Sequence, residues 1–141
     1  MQFVCDTPDG KTWFRIETEG EAAAESDLMS HAVEKHFREA RDKAAESYKP
    51  VSDVFFEQNI GLKAHLDRAM PLFLTLRDSE GAGLATAMLP PSGRPNVAFR
   101  LIIVGFGNRD PYPEHGTAIE ALGRHYGLSL DRARCYPYAR Y

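Results

Sequence analysis

The stretch that decides the fold is LFLTLRDSEGAGLATAML, residues 72–89. Two apolar runs, 72–77 and 84–89, flank a polar segment that contains two glycines. Short apolar runs joined by turn residues are typical of a β-hairpin. A further apolar, β-branched run from Val97 to Val104 follows a proline-rich loop, so we expect a three-stranded antiparallel meander here.

A second hairpin is predicted at the N-terminus. Residues 2–7 and 12–18 are strand-like and flank Asp9-Gly10, a dipeptide that favours the tight turns of hairpins. Phe14 and Ile16 share one face of the second strand, and we expect that face to point to a core. The two hairpin regions together predict an antiparallel sheet of about five strands.

The residues that follow predict a long helix. Thr18 and Glu21 form a capping-box pattern, and residues 21–48 combine good helix formers with an apolar stripe at helical spacing. Such a helix is about 40 Å long, as long as the diameter of about 37 Å expected for the domain. We expect it either to lie across one face of the sheet, with a break near Ser26-Asp27, or to project and pair with a second copy.

Two further helices complete the predicted α+β fold. Residues 62–70 predict a short helix, and a second capping box at Thr117 and Glu120 predicts a C-terminal helix that ends in a left-handed cap at Gly127. The length of 141 residues fits a single α+β domain over residues 1–141, in which 129–141 form a C-terminal tail. We therefore expect the sheet to be packed by one long helix and a C-terminal helix.

The composition is that of an ordinary globular protein, with 43% hydrophobic and 26% charged residues and a net charge of -3. The longest apolar run is about six residues, far below the ~20 of a membrane-spanning helix. The first residues also lack the pattern of a secretory signal, so we expect a cytoplasmic protein that does not bind membranes. Cys5 and Cys135 show no metal-binding spacing, and we expect free thiols, no metal and no cofactor.

The loop 107–116 is the strongest candidate for a ligand site. The residues that we expect to contact a ligand are Asn108, Arg109, Asp110 and His115. In this hypothesis Arg109 binds an anion and His115 exchanges a proton. The alternative is a strand-to-helix connection without a ligand, since such connections commonly use Pro, Asn, Asp and Gly.

Arginines and tyrosines alternate in the C-terminal segment 131–141. The residues that we expect to contact a partner are Arg132, Arg134, Tyr136, Tyr138 and Arg140. Interleaved arginines and aromatic residues are also typical of surfaces that stack single-stranded nucleic acid, but the acidic chain disfavours that partner. The alternative is a tail that packs on its own domain. The neighbouring arginines would lower the pKa of Cys135 if its thiol were exposed.

One pattern on the predicted long helix has the spacing of a possible metal site. Asp27, His31 and Glu34 have i, i+4 and i+7 spacing on the predicted long helix. Because no further ligand is evident and the side is polar, we interpret it as a solvent-exposed face.

The sequence therefore predicts a small binding or regulatory domain that acts through protein–protein contacts as a homodimer. The alternative is a small enzyme or ligand-binding domain that recognises an anionic small molecule at the 108–115 loop. The sequence contains no Gly-x-Ser-x-Gly motif, and we assign no catalytic residue.

Overall fold

A computed structural model describes residues 1–50 and 54–138, which form five strands and four α-helices. The strands are β1 (Gln2–Asp6), β2 (Thr12–Arg15), β3 (Leu72–Arg77), β4 (Gly83–Leu89) and β5 (Ile102–Val104). The helices are α1 (Glu19–Met29), α2 (Val33–Glu46), α3 (Phe55–Ala69) and α4 (Tyr112–Tyr126). The predicted α+β class and its antiparallel sheet are confirmed.

The strands follow one another across the sheet in chain order, from β1 to β5, and every neighbouring pair is antiparallel. Helices α1, α2 and α3 lie between β2 and β3 in the chain, so the sheet is continuous while the helices form a long insertion. The predicted N-terminal hairpin and the predicted meander are therefore neighbours, joined where Trp13 of β2 pairs with Leu76 of β3.

Strand β5 is shorter than the predicted run from Val97 to Val104, because it begins at Ile102. The Asn96 carbonyl accepts from Phe99 N–H at 3.0 Å, and its side-chain oxygen accepts from Ala98 N–H at 3.0 Å. These local bonds stabilise a turn in place of a strand, as asparagine side chains often do.

Helices cover both faces of the sheet. On one face, Trp13 and the leucines of β3 form a core with Ile119 and Leu122 of α4. On the other face, Ile16 and Phe73 form a second core with residues of α1 and α2. The prediction that Ile16 faces a core is right, but the opposite face of the same strand region is equally buried.

The predicted long helix is helical over most of its length but consists of two helices. Ser30 adopts a left-handed conformation (φ 54°, ψ 50°), which ends α1 and turns the chain into α2. Ser26 Oγ accepts from Glu34 N–H at 2.8 Å, so the predicted break region supplies a cap for α2. Because Ala22 of α1 and Phe37 of α2 pack in the same core, the 40 Å rod that suggested a helix-mediated dimer is absent from the described residues.

Helix α4 begins at Tyr112, five residues before the predicted start at Thr117. Asp110 Oδ1 accepts from Tyr112 N–H at 3.0 Å and so satisfies a backbone donor of the first turn. The left-handed end at Gly127 (φ 70°) is confirmed. Across the described ranges, no helix combines the length and apolarity needed to cross a membrane.

The segment after α4 packs on the domain. Leu130 and Cys135 are buried in the core under α4. Tyr136 N–H donates to Leu101 O at 2.7 Å, and Ile103 N–H donates to Tyr136 O at 3.3 Å, so the segment pairs with the outer edge of β5. The predicted tail is thus part of the folded domain up to Tyr138, while Arg140 lies outside the described residues.

Candidate functional site

A cavity of about 310 Å³ lies on the face of the sheet that α1 and α2 cover. Its apolar wall includes Val33 and Phe73 together with Met88, Ile102 and Val104 of strands β4 and β5. Its polar lining side chains are His31, His36, Thr86, Asn108 and Tyr136. An apolar wall with a few convergent polar groups is the usual composition of a small-molecule site. We call it the His31 cavity.

A chain of polar contacts runs from the His31 cavity into the protein. His31 Nε2 lies 2.8 Å from Thr86 Oγ1, and the Thr86 hydroxyl donates to Glu25 Oε2 at 2.6 Å. Arg77 Nη2 donates to the other oxygen, Glu25 Oε1, at 2.8 Å, and Arg77 Nε donates to Thr75 Oγ1 at 3.0 Å. Glu25 is fully buried, so its charge is balanced by Arg77 inside the fold. We call Arg77, Glu25, Thr86 and His31 the polar chain.

The hydrogen-bond network assigns the protons of the polar chain. An ionised carboxylate only accepts, so the Thr86 hydroxyl donates its one hydrogen to Glu25. The Thr86 oxygen then accepts from His31 Nε2–H, which leaves Nδ1 free to accept from Val33 N–H at 3.4 Å. The buried carboxylate therefore fixes the tautomer and the orientation of His31.

The local fold explains why these residues meet. Within α1, the buried residues are Ala22, Glu25 and Met29, whose spacing of three and four places Glu25 on the face that packs against the sheet. The left-handed Ser30 then turns the chain so that His31 contacts β4. The sequence interpretation missed Glu25, although its helical spacing from Ala22 and Met29 was a usable signal.

The solvent-exposed interpretation of the Asp27, His31 and Glu34 pattern is right for Asp27 and wrong for His31. Asp27 is exposed, whereas His31 is half-buried against Thr86. The spacing rule fails because Ser30 interrupts the helix between these positions. Within residues 1–50 and 54–138, no group of three or more His, Cys, Asp or Glu side chains could hold a metal ion.

Burial holds the pKa of His31 below its ordinary value, while the Glu25 carboxylate partly opposes this effect. A histidine with a lowered pKa binds fewer protons in the folded than in the unfolded protein. Stability is therefore complete above the ordinary pKa of about 6.5 and falls as the pH drops through that value toward the lowered one. Burial, followed by repulsion from Lys11, lowers the pKa of His115 in the same direction.

We expect the free energy of unfolding to decrease as the pH falls from 8 to about 5.5, a range that lies above the titration of the carboxylates. Urea unfolding at several pH values measures this slope. His31→Gln should reduce this slope and leave the part that His115 contributes, whereas the matched change at the exposed His125 should leave the slope unchanged. An identical slope in the wild type and in His31→Gln would contradict the role of His31.

The predicted loop residues have separate surroundings. Asn108 adopts a left-handed conformation (φ 62°) and lines the His31 cavity. The Arg109 guanidinium lies 5.7 Å from the centre of the Phe106 ring. Asp110 Oδ2 accepts from Arg132 Nε at 2.8 Å, so Asp110 joins the loop to the C-terminal segment.

His115 contacts a different part of the protein. Its Nδ1 atom lies 3.0 Å from Lys11 Nζ, near the turn between β1 and β2. Lys11 also forms an ion pair of 2.8 Å with Asp9. The structure thus places Asn108 in a cavity and His115 beside Lys11, and the anion site over 108–115 stays a prediction.

The predicted partner residues of the C-terminal segment are partly occupied within the domain. The Arg132 guanidinium lies 4.3 Å from the centre of the Tyr138 ring, and Arg100 lies 5.0 Å from that of Tyr136. Arg134 is exposed, and its contact with a partner stays a prediction.

The thiol of Cys135 is enclosed. Cys135 is fully buried, and this burial raises the pKa of its thiol despite a hydrogen bond to Tyr112 that acts in the opposite direction. Both cysteines are free. The exposure that a reactive Cys135 would need is therefore absent.

Comparisons with protein-family models, with curated proteins and with solved structures find no match for this chain. Function is therefore inferred from the residues of the molecule itself. The His31 cavity and the polar chain are the features that carry the inference, because they combine an apolar space with an oriented imidazole.

Proposed function

We propose that this protein binds a small, largely apolar molecule in the His31 cavity. The observation that carries the proposal is the fixed imidazole of His31 at an apolar cavity, oriented through Thr86 by the buried Glu25. Binding sites commonly pair an apolar wall with a few polar groups that set the ligand's orientation.

The volume of the cavity sets how much of a ligand the cavity can enclose. A water molecule occupies about 30 Å³ in the liquid. A cavity of about 310 Å³ therefore holds about ten groups of that size, which corresponds to about ten non-hydrogen atoms. Medium-chain alkyl compounds and single-ring aromatic compounds fall in this range.

Two unusual backbone positions adjoin the cavity and support the proposal. Ser30, directly before His31, and Asn108 both have positive φ angles, of 54° and 62°. Few non-glycine residues adopt this region, asparagine more often than most, and such positions cluster at ligand sites.

The His31 cavity lies beside the 108–115 loop, which was the predicted ligand site, and shares Asn108 with it. Asn108 remains a contact residue, but the cavity replaces the 108–115 loop as the site. Protein–protein contacts and a homodimer stay predictions. Of the two interaction features that suggested them, the single long helix is divided at Ser30, and the arginine- and tyrosine-rich C-terminal segment remains.

Filling the cavity should abolish binding. We expect 1-octanol to bind the wild-type protein and Ile102→Trp to weaken its affinity at least tenfold, because Ile102 lines the cavity and an indole occupies the ligand's space. Isothermal titration calorimetry measures both affinities. Val97→Trp is the matched control. Val97 is fully exposed, so this substitution adds the same indole to the surface and not to the cavity.

A second variant tests the same cavity in case Ile102→Trp does not fold. Ala32 lines the cavity but is exposed, so Ala32→Trp should block binding without disturbing the core. Wild-type affinity in folded Ile102→Trp and Ala32→Trp, or no binding of 1-octanol to the wild type, would refute the proposal.

A further inference from the structure

We infer, on the basis of the proposed binding function, that the ligand is a monocarboxylate with an apolar body, and that His31 takes up a proton when the carboxylate binds. Three observations carry it: the charges of the lining, the donors beside His31, and the buried Glu25 behind it.

The lining favours a negative group. His31 and His36 are the described lining residues whose side chains can carry a positive charge, and the described lining contains no carboxylate. An alkylamine would find no counter-charge at this wall, whereas a carboxylate would meet imidazoles.

The donors beside His31 complete a carboxylate contact. Val33 N–H belongs to the first turn of α2 and donates to His31 Nδ1 over a long distance, 3.4 Å. If Nδ1 gains a proton, it can no longer accept from Val33 N–H, so Nδ1–H and Val33 N–H become two neighbouring donors. One carboxylate oxygen can accept from both. A hydrogen bond to the His31 backbone also favours the protonated ring. Ser26 Oγ already accepts from Glu34 N–H in this turn, so the positive end of the helix adds only a part of the attraction.

The polar chain supplies the opposite charge for the imidazolium. Glu25 favours the protonated form through the Thr86 hydroxyl, while His36 disfavours it and Arg77 offsets part of the Glu25 charge. In the empty cavity, burial outweighs Glu25 and the pKa of His31 is lowered. A bound carboxylate adds the second negative charge. The positively charged imidazolium then lies between the ligand carboxylate and Glu25.

The expected signature is a coupling between binding and pH. Carboxylic acids have pKa values near 4–5, so the ligand stays ionised while the pH falls from 8 to 6. In the site, the proton enters from solvent onto Nδ1, and Nε2–H keeps its bond to Thr86. If binding takes up one full proton, the affinity rises by up to about tenfold for each unit by which the pH falls.

Three probes of matched chain length test the inference: octanoate, octanamide and 1-octanol. We expect calorimetry at pH 6 to show octanoate binding at least tenfold more tightly than octanamide, and this advantage to shrink at pH 8. Titrations in buffers of different ionisation enthalpy should give a net uptake approaching one proton for octanoate and none for octanamide. His31→Gln should remove the advantage of octanoate and its proton uptake while octanamide still binds. His125→Gln, on the exposed end of α4, should behave as the wild type.

The outcomes separate the inference from the proposed function. Equal binding of octanoate and octanamide at both pH values, or an advantage that survives in His31→Gln, would overturn the carboxylate inference and leave small-molecule binding intact. Failure of 1-octanol to bind the wild-type protein would overturn the proposed function and the inference with it.

Discussion

Replacing Arg77 with methionine lowers the free energy of unfolding by about 3–5 kcal/mol, the usual cost of leaving a buried charge without its partner. Glu25 is fully buried, and Arg77 Nη2 donates to its carboxylate at 2.8 Å. Methionine fills a similar volume but cannot donate, so the carboxylate remains in the fold without its counter-charge. Thr86 still donates to Glu25, but one hydroxyl cannot replace a guanidinium.

Urea unfolding of Arg77→Met measures this loss, and the chain offers a matched control. Arg124 forms an ion pair of 2.7 Å with Glu120, where the two side chains are 61% and 70% exposed. The corresponding values for Arg77 and Glu25 are 17% and 0%. Because water screens the surface pair, Arg124→Met should cost less than about 1 kcal/mol. Equal losses in the two variants would mean that Glu25 is not a buried charge.

A double-mutant cycle isolates the coupling between Arg77 and Glu25. Glu25→Gln keeps an acceptor for the Thr86 hydroxyl and removes the charge. Its cost should be smaller in the Arg77→Met protein than in the wild type, since the unpaired charge is then removed. Additive costs would contradict a direct ion pair.

Replacing Trp13 with alanine lowers the free energy of unfolding by about 3–5 kcal/mol, as large-to-small changes of buried aromatic residues do. Trp13 is fully buried on the α4 face of the sheet, and its Nε1–H donates to Ala118 O at 2.9 Å. The change removes this bond and leaves a void between β2 and α4. Domains of this kind have only about 5–15 kcal/mol of stability in total.

Thermal and urea unfolding of Trp13→Ala test this prediction against a control on the neighbouring strand. Phe3 in β1 is 58% exposed, so Phe3→Ala should cost less than about 1 kcal/mol. Trp13→Phe retains most of the buried apolar surface and should cost clearly less than Trp13→Ala. A loss of similar size in Phe3→Ala and Trp13→Ala would argue against the α4 core.

The strands from β1 to β4 were predictable because their signals are local. The Asp9-Gly10 dipeptide forms the first turn with Gly10 at φ 80°, and the apolar runs of β3 and β4 pair in register from Leu72 with Leu89. Gly127 likewise ends α4 as its position predicts. These features depend on a few neighbouring residues, so composition and spacing suffice to locate them.

The candidate site was not predictable in the same way, because its contacts join distant residues. Ser30 is not a residue type that usually marks a left-handed position, yet it directs His31 toward Thr86, which lies 55 positions later in the chain. Glu25 shares the buried face of α1 with Ala22 and Met29, but its residue type is typical of an exposed position, and its charge is balanced by the distant Arg77 of β3. Such positions are decided by tertiary packing, which overrides local preference.

The most direct test of the central claim, that the His31 cavity binds a small apolar molecule, is methyl NMR on protein labelled at its four methionines. Met88 lines the cavity, whereas Met29 and Met70 are buried elsewhere. We predict that 1-octanol shifts the Met88 methyl signal in a saturable manner and leaves those of Met29 and Met70 in place, and that Ile102→Trp abolishes the shift. An unchanged Met88 signal at high 1-octanol concentration, or equal shifts of all methionine signals, would contradict the claim.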